Sequence, residues 1–422
     1  MRVLLISANT EQINMPVLPL GLACVAAATE SVGHEVRLLN LMARENCLLT
    51  IEHTVESLQP QVIGISVRNI DDQCMQGPKF LLDPVKDVVT CCRKVSRAPI
   101  VLGGAGFSIF PQSTLSYLGA DMGICGEGEE TFIALLERIS KRADLSDVPG
   151  LVLPQGVSVT RRIRRLDQLP FPNGLLSFPR SFNNQKIWLP FQTRRGCPMN
   201  CSYCSTATIE GRALRKLSEK AAVDAISRFV EAGFSRFFLV DNTFNLPAAY
   251  AKALCSEITR RRLDIEWRCI LYPWRVDEDL VGRMARAGCV EVSFGFESGS
   301  KEILKSLNKR FHPEEVRSIS KMLEDHGINR TGFLLLGGPG ETKETVLESL
   351  SFADSLDLEA MKVTAGIRIY PHTKLSRIAM EEGQTVPGEN LLFPTFYLAE
   401  SLDGWLQATV HEWMSKRPNW HI

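Results

Sequence analysis

The chain has 422 residues, a length that predicts two domains and a short additional segment. Its formal net charge of +0 argues against a general nucleic-acid-binding protein and against a basic protein of membrane surfaces. No apolar run reaches the about 18 residues of a membrane span, and the sequence begins directly with a predicted strand. We therefore expect a cytoplasmic protein, and its 12 cysteines fit a reducing compartment.

Residues 1–140 alternate short apolar strands with amphipathic helices such as Leu20–Ser31 and Pro84–Val95. The predicted strands are Val3–Ser7, Glu35–Leu41, Val62–Val67, Ile100–Gly103 and Met122–Cys125. This alternation predicts an α/β domain with a doubly wound, Rossmann-like parallel sheet. Ligands of such sheets bind at the carboxyl ends of the strands.

Three polar, glycine-rich loops follow the last three of these strands. Their candidate binding residues are Ser66, Arg68, Asn69 and Asp71, then Gly103, Gly104 and Ala105, then Gly126, Glu127 and Gly128. Glycines allow a bulky ligand to approach the backbone closely. None of the loops contains G-x-G-x-x-G followed by an acidic residue, so a nicotinamide dinucleotide is disfavoured.

Residues 141–188 are rich in turns and predict a linker, which contains the basic run Arg161–Arg165. Residues 189–385 again alternate strands with helices, and six βα units predict a partial (β/α)6 barrel. The predicted strands are Leu189–Thr193, Arg236–Val240, Ile265–Ile270, Val290–Gly295, Thr331–Leu336 and Val363–Ile369. Residues 386–422 are aromatic and predict a short packed cap.

The first barrel strand is followed by Cys197, Cys201 and Cys204, spaced as C-x-x-x-C-x-x-C. Thiolates hold iron–sulfur clusters, and a 4Fe–4S cluster on three thiolates has one iron free to bind a small molecule. Structural zinc is the alternative, but it needs four ligands and no further cysteine or histidine pair lies near this loop. We interpret the other nine cysteines as packing residues.

The cysteine spacing, with Tyr203 before the last cysteine, resembles the radical S-adenosylmethionine (SAM) superfamily. In the first domain, Pro99–Gly104 and the later run Gly126–Phe132 resemble the cobalamin-binding domain that precedes some of these barrels. The two resemblances together cover roughly residues 1–385. The usual D-x-H-x-x-G of cobalamin domains is missing, because the loop from Ser7 to Gly21 contains no histidine. The resemblance therefore implies cobalamin bound without a histidine ligand.

The resemblance also implies roles for residues at the barrel strand ends. It assigns Tyr203 to the cluster loop, Asp241 and Asn242 to the methionyl amine, Glu297 and Ser298 to the ribose, Gly337 and Gly338 to the sulfonium side, Arg368 to the methionyl carboxylate, and Ile369 and Tyr370 to the adenine. Two alternatives stay open. Asp241-Asn242-Thr243 is also a common helix cap, and Arg212 and Arg215 compete with Arg368.

The function implied by the resemblance is a cobalamin-dependent radical SAM C-methyltransferase. Such an enzyme uses methylcobalamin and a 5′-deoxyadenosyl radical to methylate an unactivated carbon, with an external flavodoxin- or ferredoxin-type electron donor. A small-molecule or peptide substrate is expected, and no nucleic acid. The alternatives are a radical cyclase or ring-rearranging enzyme and a non-catalytic cobalamin carrier or sensor. A methylthiotransferase of transfer RNA would need three further amino-terminal cysteines at ligand spacing and a basic tail, which the sequence lacks.

Overall fold

The computed structural model describes residues 1–11, 16–42, 46–182 and 185–422. The chain forms two compact units. Unit 1 comprises Met1–Asp72, Lys79–Ile187 and Thr208–Gly211, and unit 2 comprises Gln73–Pro78, Trp188–Ala207 and Arg212–Ile422. No helix among these described residues is both long and apolar enough to cross a membrane.

Unit 1 is built on a seven-stranded sheet in the order β2-β1-β3-β4-β5-β6-β7. Its strands are β1 (Arg2–Ser7), β2 (Glu35–Asn40), β3 (Val62–Ser66), β4 (Ile100–Gly103), β5 (Met122–Ile124), β6 (Leu151–Leu153) and β7 (Gly156–Val157). A separate antiparallel pair is formed by β8 (Ser181–Phe182) and β9 (Gln185–Lys186). Its helices are α1 (Leu20–Ser31), α2 (Cys47–Leu58), α3 (Leu82–Val95), α4 (Ala105–Ile109), α5 (Pro111–Leu118) and α6 (Glu129–Lys141).

The first five strands of this sheet pair in parallel, whereas β6 and β7 are antiparallel additions from the segment that the sequence analysis assigned to a linker. Residues Val3 to Ile6 of β1 are all buried, and β3 and β4 are also almost completely buried. Continuous burial is expected for parallel strands that are covered on both faces by helices. The carboxyl ends of β3, β4 and β5 therefore lie along one edge of the sheet.

From residue 188 onward the chain forms a second, parallel seven-stranded sheet in the order β10-β13-β14-β15-β16-β17-β20. The strands are β10 (Leu189–Phe191), β11 (Arg194–Arg195), β12 (Arg215–Lys216), β13 (Arg236–Leu239), β14 (Glu266–Leu271), β15 (Cys289–Glu297), β16 (Asn329–Leu336), β17 (Ala360–Ala365), β18 (Ile367–Arg368), β19 (Phe396–Tyr397) and β20 (Trp420–His421). The helices are α7 (Thr206–Glu210), α8 (Glu219–Glu231), α9 (Ala248–Arg260), α10 (Glu278–Arg286), α11 (Lys301–Ser306), α12 (Pro313–Asp325), α13 (Lys343–Asp354), α14 (Lys374–Glu381) and α15 (Leu406–Ser415).

Six of these strands correspond to the six predicted barrel strands, so the partial barrel that the sequence predicts is present. The tail adds more than a cap, because β20 pairs in parallel with β17 and β19 pairs antiparallel with β18. Of the tail aromatics, Tyr397 and Trp420 are buried, whereas Phe393 is exposed. The phenol of Tyr397 donates a hydrogen bond of 2.6 Å to Glu382.

The barrel strands have two distinct faces. Phe296 of β15 packs edge-on against Phe352 of α13, with ring centroids 5.7 Å apart, so its face of the sheet lies against the helices. Residues of the opposite face, among them Ser293, Thr331 and Lys362, retain partial solvent exposure. The barrel interior is therefore open enough to admit solvent.

Candidate cluster and cofactor sites

A buried ion pair lies directly before the cysteine loop. Asp241, directly after β13, has no exposed surface, and its carboxylate lies 3.2 Å from Nε of Arg194. The same carboxylate accepts hydrogen bonds from the backbone N–H groups of Thr193 (2.7 Å) and Arg194 (2.9 Å) and from the Thr193 hydroxyl. Asp241 thus fixes the backbone that leads to Cys197. The contact with the methionyl amine that the resemblance implies for Asp241 stays a prediction.

Arg194 extends this anchor to the next loop. Its Nη1 donates to the carbonyls of Phe244 (2.7 Å) and Leu246 (2.9 Å), and its guanidinium lies over the rings of Phe244 and Tyr250. Asn242, beside Asp241, is half-buried. Arginine suits such a position because its planar group can donate several hydrogen bonds and stack on rings at the same time. The strand end before the cysteine loop is consequently rigid.

The three cysteines differ in exposure: Cys197 is buried, Cys201 is intermediate and Cys204 is exposed. The backbone N–H of Cys204 donates to the carbonyl of Cys201 at 3.3 Å, and their thiols are close enough to interact electrostatically. Among the described residues, no three His, Cys, Asp or Glu side chains lie close enough together to hold a metal ion, and this holds for the three cysteines as well. The donor set fits an iron–sulfur cluster in its chemistry, since three thiols lie on one short loop.

A buried group of three polar side chains lies next to Cys201, which we call the Tyr203–Glu297–Lys309 triad. The phenol of Tyr203 donates to Oε1 of Glu297 at 2.9 Å. The ammonium of Lys309 donates to the same oxygen at 2.9 Å and to the Tyr203 phenol at 3.1 Å. The positive charge of Lys309 also acts on the Cys201 thiol. The triad therefore joins the cluster loop to the carboxyl end of β15.

Glu297 adopts an unusual backbone conformation at this strand end. Its φ is +62°, and the pairing of β15 with β16 shifts in register between Gly295 and Glu297. Positive φ is uncommon for a residue with a side chain and occurs where surrounding structure imposes it. The turn folds the Glu297 carboxylate back across Gly295, where a side chain on Gly295 would overlap with Oε1. Glycine at 295 therefore leaves the space that the carboxylate occupies.

Burial dominates the electrostatics of the triad. It raises the pKa of the Tyr203 phenol well above its usual value, and the Glu297 carboxylate adds to that effect. Burial also raises the pKa of the Cys201 thiol, although the positive charge of Lys309 acts in the opposite direction. For Lys309, burial lowers the pKa, but Glu297 and Tyr203 outweigh it and hold the pKa well above the ordinary value. The ammonium is therefore charged, because an opposite charge within hydrogen-bond distance favours the charged form.

The loop after β16 is organised by a buried carboxyl group. Oε2 of Glu341 accepts hydrogen bonds from the backbone N–H groups of Gly337 and Gly338, the latter at 2.8 Å. Its Oε1 is buried and has no hydrogen-bond partner among the described residues. Burial raises the pKa of Glu341 to about 7, despite the two backbone hydrogen bonds. The two predicted ligand-approaching glycines are thus tied to a carboxyl group that the sequence analysis did not consider.

Arg368 and Ser298 are engaged within the fold. The Arg368 guanidinium is buried and donates to the carbonyls of Ile369 (2.8 Å) and Leu391 (2.8 Å), so it fastens the segment before β19. Ser298 is fully buried, and its hydroxyl lies 2.8 Å from that of Ser349 on α13. Arg368 and Ser298 thus contact structural partners, and the ligand roles that the resemblance implies for them stay predictions.

The remaining candidates for ligand contacts are Ile369 and Tyr370, which follow β18, and the two rival arginines, Arg212 and Arg215. Ile369 is buried, whereas Tyr370 keeps partial exposure beside the Arg368 guanidinium. Of the two rival arginines, Arg212 donates to Asn200 of the cluster loop at 2.6 Å, and Arg215 lies in β12. Arg212 is therefore the better placed of the two rivals to reach a ligand at the cluster loop.

In unit 1 the predicted loops after β3 and β4 pack on each other. The N–H of Gly106 donates to the carbonyls of Val67 (3.1 Å) and Arg68 (3.0 Å). Gly104 has φ of +102°, and a side chain there would approach the Val67 carbonyl within 2.5 Å. Glycine is required at this point both for its backbone conformation and for the close approach of the two loops.

The remaining candidates of these loops differ in exposure. Ser66, Asn69, Gly103 and the three residues Gly126, Glu127 and Gly128 are half-buried, Arg68 and Ala105 are exposed, and Asp71 is buried. The N–H of Gly126 donates to Ser108 at 2.9 Å, and Glu127 accepts from the N–H of Ile163 at 2.7 Å. Arg162 of the basic run donates to the carbonyl of Thr208 at 2.9 Å, so part of that run is engaged within unit 1.

Neither histidine of unit 1 lies at these loops. His34 precedes β2 and its Nδ1 is 2.9 Å from the amino group of Met1, at the opposite edge of the sheet. His53 is exposed on α2. The loops themselves offer backbone groups and polar side chains at the carboxyl edge of a parallel sheet, which fits a large cofactor held without a histidine ligand. Binding of cobalamin without a histidine ligand therefore stays a prediction.

Comparison with known proteins accounts for both units. The model of the radical SAM superfamily matches residues 192–353, and the B12 binding domain model matches residues 6–136. An uncharacterised methyltransferase of Pyrococcus horikoshii is 26% identical over 393 residues, which cover 90% of this chain and 83% of that protein. Tryptophan 2-C-methyltransferase of Streptomyces laurentii is 24% identical over 442 residues, which cover 89% of this chain and 74% of that protein.

A solved structure of the radical SAM methyltransferase TsrM from Kitasatospora setae, with cobalamin and a 4Fe–4S cluster bound, has a TM-score of 0.81. It is 25% identical, and the match covers 92% of this chain and 76% of that chain. The fold and the site thus define an enzyme with a cobalamin-binding domain and a radical SAM barrel. This chain belongs to the cobalamin-binding radical SAM enzymes, and its cofactors are a 4Fe–4S cluster, SAM and cobalamin. The predicted family, fold class and cofactors are confirmed.

Sequence reasoning missed Lys309, Glu341 and Arg194. Lys309 lies in the polar run Asn308-Lys309-Arg310, which has no motif spacing. Glu341 lies three residues after Gly338 and could have been suspected, because a carboxylate can accept hydrogen bonds from the N–H groups of such a loop. Arg194 lies three residues before Cys197, and only the folded structure brings it to Asp241.

Proposed function

We propose that this enzyme is a C-methyltransferase that moves a methyl group from SAM to a carbon atom of a small-molecule substrate. The observation that carries the proposal is the cysteine loop at the end of β10, held beside the Glu297 carboxylate by Tyr203 and Lys309. A loop with three thiols leaves one iron of a 4Fe–4S cluster open to a ligand. The methyltransferase relatives, which align with 90% and 89% of this chain, favour methyl transfer over cyclisation.

When bound, the cluster supplies the electron that cleaves SAM, and cobalamin supplies a cobalt that carries the methyl group. The chain's own residues bind and orient the cluster and SAM. The thiolates of Cys197, Cys201 and Cys204 would hold the iron, and the Glu297 carboxylate would offer an acceptor for ribose hydroxyls. Oε1 of Glu297 already accepts two hydrogen bonds, so its other oxygen is the better placed for the sugar.

The barrel interior is the proposed place for the substrate. The side chains on the strand face away from the helices, including Ser293, Thr331, Phe333 and Thr364, are small, polar or aromatic and remain partly exposed. A concave, mixed apolar and polar surface of this kind suits a small organic molecule. An external flavodoxin- or ferredoxin-type protein is the proposed electron donor, because the chain has one predicted cluster loop and an electron must reach it.

The test uses protein reconstituted anaerobically with iron, sulfide and cobalamin, and SAM with a trideuterated methyl group. Without substrate, we expect S-adenosylhomocysteine and deuterated methyl on cobalamin. With an accepted substrate from a panel that includes L-tryptophan, we expect a product in which the trideuterated methyl group replaces hydrogen. The variant Cys204→Ala should lose methylation of the substrate.

Two results would contradict the proposal in different ways. A product with the mass of its substrate, formed while SAM is consumed, would identify a cyclase or ring-rearranging enzyme. Cobalamin that binds to the chain without any consumption of SAM would identify a carrier or sensor.

A further inference from the structure

The segment that follows α11 is fastened to the cluster loop on both sides of Cys201. The N–H of Ser202 donates to the carbonyl of Leu307 at 3.1 Å, and Nδ2 of Asn308 donates to the carbonyl of Asn200 at 2.5 Å. Asn308 has φ of +59°, which turns the chain so that the next residue, Lys309, enters the interior. These two hydrogen bonds fix the position of Lys309 relative to Cys201.

The ammonium of Lys309 has a matching set of acceptors. Its side chain is only 4% exposed. An ammonium has three N–H donors, and here it donates to Oε1 of Glu297 at 2.9 Å and to the phenol oxygen of Tyr203 at 3.1 Å, two residues from Cys201. The ring of Tyr272 lies 5.7 Å from the same nitrogen and helps to exclude water. A positive charge is therefore held near the Cys201 thiol, on which it acts electrostatically.

We propose that Lys309 is a positioning residue that makes the cluster easier to reduce, by placing its positive charge beside the Cys201 sulfur. Reduction adds one electron to a centre that already carries thiolate charge, and a nearby cation stabilises the additional negative charge. Hydrogen bonds to the sulfurs and the local charge are among the determinants of the potential of such clusters. The inference rests on the proposed function only for the presence of the cluster.

The charge acts strongly here because the Lys309 side chain is almost completely buried. An exposed lysine at the same distance would be screened by water and salt, whereas a buried one is screened much less. Glu297 compensates part of the charge of Lys309, since its Oε1 lies at 2.9 Å. The Lys309 charge, however, acts more strongly on the Cys201 thiol than the Glu297 charge does, so the two together act there as a cation. The same arrangement also holds Glu297 in place for the ribose.

The test measures the midpoint potential of the reconstituted cluster in the absence of SAM, by electron paramagnetic resonance at controlled potentials. Lys309→Met removes the positive charge and the N–H donors of the side chain and keeps most of its length. We expect its midpoint to be more negative by about 59 mV or more, a tenfold or larger loss in the reduced-to-oxidised ratio at a fixed potential. Lys309→Arg, which keeps a charge and donors, should lie closer to the wild type. Lys305→Met removes an exposed lysine of α11 and is the matched control with an unchanged midpoint.

The midpoint does not depend on how many molecules carry a cluster, so a variant that loads less iron still gives a valid reading. A Lys309→Met midpoint equal to that of the wild type would overturn this inference and leave the proposed function standing. A wild-type protein that takes up no iron would overturn the proposed function itself. A merely structural role for Lys309 would lower the iron content without moving the potential of the clusters that remain.

Discussion

Arg194 and Asp241 form a buried ion pair, with Nε and Oδ2 3.2 Å apart, directly before the cysteine loop. Arg194 is 1% exposed and Asp241 is 0% exposed, so neither charge can be hydrated if the other is removed. Because the Asp241 carboxylate also accepts two backbone N–H groups of residues 193 and 194, the pair determines where the cysteine loop begins. This ion pair therefore stabilises the backbone from which the cysteine loop starts.

The first prediction concerns Asp241→Asn, which keeps the size of the side chain and removes its charge. We expect the free energy of unfolding to fall by about 3 kcal/mol, because the Arg194 guanidinium stays buried without its counter-ion. Urea unfolding followed by tryptophan fluorescence measures the loss, and the iron content after reconstitution should fall as well. Asp354→Asn is the control, since the pair of Asp354 with Arg417 lies at the surface and is worth about 0–1 kcal/mol. Equal losses in the two variants would contradict the role given to Asp241.

The second prediction concerns Gly295→Ala. A methyl group at this position overlaps with Oε1 of Glu297, so the carboxylate must leave Tyr203 and Lys309. We expect the affinity for SAM to fall by about tenfold, as expected for a lost interaction of about 1.4 kcal/mol. Equilibrium dialysis of the reconstituted protein measures the affinity. Gly156→Ala, where the added carbon meets nothing within 4 Å, should bind SAM as the wild type does. Wild-type affinity in Gly295→Ala would show that the Glu297 carboxylate does not bind the ligand.

The third prediction is a dependence of stability on pH that arises from Glu341. Burial raises the pKa of this carboxyl to about 7 from an ordinary value of 4.5. Between these values the folded protein holds a proton that the unfolded chain has lost, so stability falls as the pH rises through this window. The loss is at most about 1.4 kcal/mol for each pH unit. Above pH 7 the contribution no longer changes.

Glu341→Gln removes this titration and keeps an oxygen acceptor for the N–H groups of Gly337 and Gly338. We therefore expect the stability of the variant relative to the wild type to increase from pH 5 to pH 7.5, as measured by urea midpoints of the metal-free protein. Glu348→Gln, on the exposed side of α13, is the matched control and should follow the wild-type profile. A constant difference between Glu341→Gln and the wild type across this range would show that Glu341 titrates outside it.

The fourth prediction concerns Lys362, which belongs to the interior face of β17. Its side chain is half-buried, has no ion-pair or hydrogen-bond partner within the described part of the chain, and has a pKa lowered by desolvation. Lys362→Met should therefore raise the free energy of unfolding by about 1 kcal/mol, since a cation without a counter-ion is removed from a poorly hydrated place. Thermal unfolding measures the change, and Lys374→Met, an exposed lysine on α14, should show none. A destabilised Lys362→Met variant would reveal a favourable contact of this ammonium.

The architecture could be predicted because each element repeats a local pattern. The helix Leu20–Ser31 has the predicted bounds, and β13 ends at Leu239, one residue before the predicted end. Apolar runs of four to seven residues between amphipathic stretches encode parallel strands and covering helices without any long-range information. The glycine-rich loops and the cysteine spacing could be located for the same reason, since each lies directly after such a run.

The partners of single polar residues could not be predicted in this way. Asp241 lies at a strand end, where a ligand contact and a structural ion pair have the same local sequence, and only the folded distance to Arg194 separates them. Lys309 and Glu297 are 12 residues apart, and Tyr203 is 106 residues from Lys309. Such contacts depend on the register of neighbouring strands and on the turn at Asn308, which a single sequence does not reveal.

The roles proposed for the residues of the barrel depend most on which side chains bind the cluster. The measurement that tests this most directly is the iron content and electron paramagnetic resonance signal of anaerobically reconstituted protein in which Cys197, Cys201 and Cys204 are all replaced by alanine. A triple variant of Cys24, Cys47 and Cys74, which have intermediate exposure outside this loop, is the matched control. We predict about four irons per chain for the wild type and for the control, and none for the variant of the loop. A full cluster in the variant of the loop would contradict the account, because other residues would then hold the iron.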